Sequence, residues 1–188
     1  VKIPDKNKHG AVLRGDQGQV PQLCGKVLLV EDSADEQELI ALLLQSAGLE
    51  VSLADNGHEA LEIIRKESFN LVLMDMEMPV MDGRMATCRL RQEGYGIPVI
   101  ALTAHVLPEE VKKCQLAGCE NYLRKPFKPG EFFKLLEEYL EPTDSAGPGL
   151  ESCASVTVGG MGENPEFREL VGKFALELPA RVSDLEEA

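Results

Sequence analysis

Residues able to do chemistry recur in this sequence at one kind of place, directly after a short apolar run. Lys26–Val30 ends on Glu31-Asp32, Leu71–Met74 ends on Asp75, Pro98–Thr103 ends on the Thr103 hydroxyl, and Glu120–Leu123 leads into Lys125-Pro126. Carboxylates gathered at one edge repel each other unless a cation neutralises them. Oxygen-only donors with room for water suit Mg2+, which takes one or two carboxylates plus phosphate oxygens. Beside such an ion and a lysine, an aspartate such as Asp75 can act as nucleophile toward a phosphoryl group and form an acyl phosphate. Mg2+ and Lys125 would then stabilise the equatorial oxygens during in-line transfer, and Thr103 could donate a hydrogen bond to the product. An acid at a strand end can also be a helix cap or a solvated loop residue, so the surrounding elements decide.

For these groups to meet, the runs must be neighbouring strands of one sheet. They are short and continuously apolar, as strands buried on both faces are. Helical patterns lie between them. Ser33 with Glu36 three residues later reads as a capping box, and Leu39, Ile40, Leu43 and Leu44 recur at helical spacing up to Gly48. Glu50–Ala54 reads as a further strand, Asn56-Gly57 as a turn, and His58–Lys66 as a helix with Ala60, Leu61 and Ile64 on one face. After Asp75, Met78-Pro79 forbids continued strand pairing, Asp82-Gly83 is a turn signal, and a helix follows from about Gly83 to Gln92. Pro108 suits a helix start and Gly118 a stop, and Phe132, Phe133, Leu135, Leu136 and Leu140 form the stripe of a last helix. Strands alternating with helices predict an α/β, doubly wound, five-stranded parallel sheet with helices on both faces. In such sheets ligands bind at the carboxyl ends of the strands.

Composition bounds the partners. The chain has 188 residues, 44% of them hydrophobic and 27% charged, with the balance of a globular protein. A net charge of −13 argues against nucleic acid or an anionic membrane as partner, and suits a divalent cation or a basic protein surface. No apolar run approaches the roughly 20 residues of a spanning helix, and Val1–Gly10 has no signal-peptide core. Cys24, Cys88, Cys114, Cys119 and Cys153 are odd in number and scattered, as reduced thiols of a cytoplasmic protein are. Cys114 and Cys119 have no second ligand pair, so no zinc site is expected. His58 and His105 read as surface residues, and Met74, Met76, Met78 and Met81 as packing and loop residues. Residues 1–24 read as a linker, 25–141 as the domain and 142–163 as a flexible linker. Residues 164–188 read as an amphipathic helix opened by Asn164-Pro165-Glu166, with Phe167, Leu170, Val171, Phe174 and Leu178 on one face. The absence of a starting Met points to a piece of a longer chain.

The set Glu31-Asp32, Asp75-Met-Glu-Met-Pro-Val-Met-Asp-Gly83, Leu102-Thr-Ala104 and Lys125-Pro-Phe127 resembles the receiver domain of two-component response regulators. The resemblance covers residues 25–141. It implies a flavodoxin-like fold with strand order 2-1-3-4-5 and Asp75 as phosphoacceptor. It implies Mg2+ held by Asp32, Asp75 and the Glu77 backbone carbonyl, with Glu31 nearby. Thr103 and Tyr122 match its switch pair and Lys125 its salt-bridging lysine, and Lys125-Pro126 is a candidate cis peptide. Glu77 and His105 fall where the family varies and tunes phosphoryl lifetime. The implied partner is a phosphohistidine donor, either a histidine kinase or a histidine-phosphotransfer domain. Self-association through the face between the fourth and fifth helices is a further expectation. Residues 164–188 resemble the first helix of a histidine-phosphotransfer domain, as in hybrid sensor histidine kinases, although no His follows His105. The chain would then accept and release phosphate as part of a kinase whose catalytic domain lies elsewhere.

Two alternatives stand beside that expectation. A haloacid-dehalogenase-type phosphatase also uses a strand-tip aspartate, but needs a second Asp where Glu77 stands. A degenerate receiver acting only as a binding scaffold would not need the complete acidic set.

Overall fold

The computed structural model describes residues 20–104 and 107–143. In chain order the elements are β1 (Leu23–Cys24), β2 (Lys26–Val30), α1 (Ala34–Ser46), β3 (Glu50–Ala54), α2 (Gly57–Ile64) and β4 (Leu71–Asp75). They continue with α3 (Gly83–Gln92), β5 (Val99–Thr103), α4 (Pro108–Ala117), β6 (Asn121–Arg124), α5 (Pro129–Leu136) and β7 (Glu141–Pro142). Strands β3-β2-β4-β5-β6 form, in that order, a five-stranded parallel sheet. Counting only these strands along the chain, the order is 2-1-3-4-5, as expected.

The continuous apolar runs are required because successive side chains of a strand point to opposite faces, and both faces are covered here. Val27, Leu29, Leu71, Leu73, Ile100 and Leu102 face α1 and α5, where they meet Leu43, Leu44, Phe132 and Leu136. Their neighbours Leu28, Val30, Val72, Met74, Val99 and Ala101 face the other way, against Ala60, Leu61 and Ile64 of α2 and Ala86 and Leu90 of α3. Each fully buried aliphatic side chain stabilises this arrangement by roughly 1.5–3 kcal/mol.

Several local signals act differently from the sequence expectation. Asn56 and Asp82, which read as turn residues, are helix caps. Asn56 accepts from the His58 and Glu59 amides at 3.0 Å, and Asp82 accepts from Met85 N at 2.7 Å. Ser33 stands at the N-cap of α1 but makes no side-chain cap bond, so the capping box is not formed. Leu23 and Cys24, expected in a linker, pair antiparallel with Pro142 and Glu141. Leu23 also donates its amide to Ala47 O at 2.7 Å, and its side chain is buried. Gly118 ends α4 in the left-handed region (φ 101°), as its position predicts. No helix among the described residues is long and apolar enough to cross a membrane. The expected helix at 164–188, most of the 1–24 segment and His105 lie outside the described residues.

Candidate functional site

Sheet register builds the site. Val30 lies opposite Met74, so Glu31 and Asp75 follow side by side at the carboxyl edge. Asp75 lies opposite Leu102, and Thr103 is the next residue of β5. Thr103 in turn lies opposite Arg124, after which comes Lys125. A slip of one residue would turn every one of these side chains to the other face, so the two packed cores hold the register. Lys125-Pro126 is cis, as the sequence resemblance implies.

The structure brings Glu31, Asp32, Asp75 and Lys125 together. Carboxylate oxygens of Glu31, Asp32 and Asp75 all lie within 4.8 Å of one another. Lys125 Nζ donates to Glu31 Oε2 at 2.5 Å, Asp75 Oδ2 at 2.7 Å and Glu36 Oε2 at 2.8 Å. The other Asp75 oxygen, Oδ1, accepts from the Glu77 amide at 2.8 Å. Glu31 and Asp75 are buried and Asp32 is exposed, so the cluster is open to solvent on the Asp32 side.

Burial pushes the Glu31 carboxyl up to about 7, although Lys125 pulls the other way. Burial also opposes the Lys125 charge, but the Asp75 and Glu31 carboxylates outweigh it and hold the ammonium above the usual lysine range. A fixed cation thus faces a carboxylate set with more negative charge than it can neutralise. That donor set, all oxygen and partly open to water, fits a hard divalent cation such as Mg2+.

The loop after β4 closes the edge. Gly83 opens α3 so close to β4 that a Cβ there would overlap the Asp75 carbonyl oxygen and crowd Met74 and Met76. Close approach, rather than a left-handed turn, requires this glycine. Met74, Met76, Met78 and Met81 are all buried, in line with packing roles. Thr103 is buried at the tip of β5. Tyr122 is not gathered into the cluster: it lies opposite Ala101, is 39% exposed, and lines a shallow pocket with Val111, Cys114 and Cys119. His58 is exposed, near Glu62.

Residues 27–137 match the response regulator receiver domain family. The chain belongs to that family. This receiver is 42% identical over 106 residues to the sensor histidine kinase GacS of Pseudomonas protegens, a match covering 54% of the chain but only 12% of the kinase. It is also similar to the receiver domain of the sensor histidine kinase PA1611 of Pseudomonas aeruginosa, whose structure has a magnesium ion coordinated in the active-site cleft. That likeness has 37% identity and a TM-score of 0.58, and covers 61% of this chain and 96% of the other. A third likeness is to the receiver domain of Ssk1 of Saccharomyces cerevisiae, crystallised with the histidine phosphotransfer protein Ypd1. Here the identity is 29% and the TM-score 0.59, covering 65% of this chain and 91% of the other. Family membership removes the dehalogenase-type alternative.

Two residues of the receiver's site were not singled out for it from sequence. Glu36 reads as a capping residue, yet its carboxylate is on Lys125. Gln37 Nε2 donates to Glu31 O at 3.0 Å, Ala54 O at 3.3 Å and Asp55 Oδ1 at 3.0 Å, tying α1 to the tips of β2 and β3. Neither contact has a local sequence signal, because each joins residues far apart in the chain or in different elements.

Proposed function

We propose that this receiver takes a phosphoryl group from a phosphohistidine donor onto Asp75 and so serves as one station of a phosphorelay. The observation that carries the reading is the convergence of Asp75, Lys125, Glu31 and Asp32 at one sheet edge. In the transfer an Asp75 carboxylate oxygen attacks phosphorus, the phosphorus–nitrogen bond to the donor histidine breaks, and an acyl phosphate forms. Lys125 stabilises charge on the phosphoryl oxygens and orients Asp75 before the attack. Asp32, Asp75 and the Glu77 backbone carbonyl, with Glu31 behind them, would hold Mg2+, which supplies the remaining charge neutralisation. Water later cleaves the acyl phosphate and restores the carboxylate.

Phosphorylation adds about 1.5 to 2 negative charges at the sheet edge. Thr103 moves toward the phosphoryl group, and Tyr122 turns inward from its exposed position. The face made by α4, β6 and α5 then changes shape as a population shift between two states. This face is where a downstream partner, or a second copy of the chain, docks. We place the receiver unit at 25–141, in the cytoplasmic part of a hybrid sensor histidine kinase, with a histidine-phosphotransfer segment beginning after the 142–163 linker.

The test is intact mass after incubation with acetyl phosphate and Mg2+, beside Asp75→Asn and a chelator control. A gain of about 80 Da, one phosphoryl group, is expected in the wild type alone. No gain by folded protein would favour the scaffold reading, and a gain retained in Asp75→Asn would mean that another residue is the nucleophile.

A further inference from the structure

A lysine ammonium has three N–H donors and no acceptor. On Lys125 all three are engaged, by Glu31 Oε2, Asp75 Oδ2 and Glu36 Oε2. The partners differ in exposure: the side chain of Glu31 is 1% exposed, that of Asp75 10% and that of Glu36 42%. A phosphoryl group on Asp75 brings three acceptor oxygens to the same ammonium. For Lys125 to donate to one of them, a bond it now makes has to open.

The choice among the three follows from solvation. Releasing Glu31 would leave a buried carboxylate without its cation, which is costly. Asp75 keeps an acceptor for Lys125 when Oδ1 attacks phosphorus, because Oδ2 is then left as the carbonyl oxygen of the acyl phosphate. Glu36 stands at the open end and recovers water at little cost, as exposed ion pairs do. Its backbone is held in place while its side chain moves, because Gln37, the next residue of α1, is bonded to the tips of β2 and β3.

We infer that Glu36 is a positioning residue acting through Lys125: it holds the third lysine donor while Asp75 is free and yields it to the incoming phosphoryl group. This deepens the phosphoryl-acceptor reading and rests on it. Glu36 is then a competitor as well as a guide, since its anion must leave the ammonium that the phosphoryl oxygens need. The capping role that its sequence position offers is not the one it performs, because the capping box does not form.

The test uses beryllofluoride as the phosphoryl mimic, titrated into the full chain with Mg2+ present and followed by calorimetry. Wild type, Glu36→Gln and Glu38→Gln are compared; Glu38 is an exposed acid on the same helix, so its variant removes the same charge without touching Lys125. Glu36→Gln is expected to bind up to about fivefold more tightly, the range of an exposed ion pair, and more tightly than Glu38→Gln, which should stay within about twofold of wild type. The nitrogen resonance of Lys125 Nζ is expected to differ between wild type and Glu36→Gln in the free protein and to coincide once beryllofluoride is bound, with Glu38→Gln like wild type throughout. A purely structural ion pair would keep the difference in the bound state. If wild type binds and Glu36→Gln binds equally or more weakly, the Glu36 role is overturned while the acceptor reading stands. If wild type itself fails to bind, the acceptor reading falls and this inference falls with it.

Discussion

Val80 carries a backbone conformation that its side chain opposes. Its φ is 68°, and it is the only non-glycine residue with positive φ among the described residues. The flanking chain fixes it there. Met81 N donates to Pro79 O at 2.8 Å across Val80, Met81 O accepts from Gly57 N at 3.2 Å, and Met78 and Met81 are buried on either side. A positive φ closed by this i→i+2 bond is a γ-turn of the rare, strained kind, which costs an L-residue roughly 1–3 kcal/mol and suits a β-branched one least. Little packing offsets this, because Val80 is 84% exposed. Asparagine tolerates positive φ better than a β-branched residue does, so Val80→Asn should relieve most of the strain and stabilise the protein by about 1 kcal/mol. Glycine relieves it too but loses about 0.4–1 kcal/mol through the freer unfolded chain, so Val80→Gly should lie below Val80→Asn. Urea unfolding checks the reasoning. With a slope of about 2 kcal/mol/M, the Val80→Asn midpoint should rise by about 0.5 M with the slope unchanged. A midpoint equal to or below that of wild type would refute the strain argument.

Three further outcomes follow from the site and the core. Glu31 has a folded pKa of about 7 against an ordinary value of 4.5, so the folded state binds its proton more tightly than the unfolded chain does. Its contribution to stability is complete below pH 4.5 and is lost as pH rises through about 7; denaturation in chelator should show the midpoint falling across that window, and Glu31→Gln should flatten the slope. A wild-type midpoint that is level from pH 5 to 7.5 would contradict the assignment. Burial pushes the Cys119 thiol up to about 11 and raises Cys114 as well, which lowers the thiolate fraction at neutral pH. Peptide mapping after brief maleimide treatment should therefore find Cys88, half-buried on α3, modified well before Cys114 and Cys119; comparable labelling of all three would show that the thiols on α4 and just after it are not sealed by the fold. Thr103→Ala should still gain a phosphoryl group but lose the phosphorylation-dependent rise in partner affinity; an undiminished rise would remove Thr103 from the switch.

What could be read from sequence, and what could not, divides by the range of the interaction. Strand tips were legible because a run such as Leu71–Met74 has one use in a doubly wound sheet, burial on both faces, and the residue after it must surface at the carboxyl edge. Sheet order was not in the periodicity; the family resemblance supplied it. The pair β1–β7 was not legible, since two residues per strand carry no period and only the burial of Leu23 marks the first of them. Glu36 is the most instructive case. Three residues after Ser33 it satisfies a local capping rule, worth typically about 1 kcal/mol. The fold instead offers it the Lys125 ammonium, 89 positions away, where the ion pair is charge-assisted although the Glu36 side chain stays partly exposed. A long-range partner that exists only once the sheet is assembled thus overrides the nearest one. Asn56 and Asp82 mark the opposite limit. Among the described residues no cation bonds their side chains, and each takes the helix amides immediately beside it.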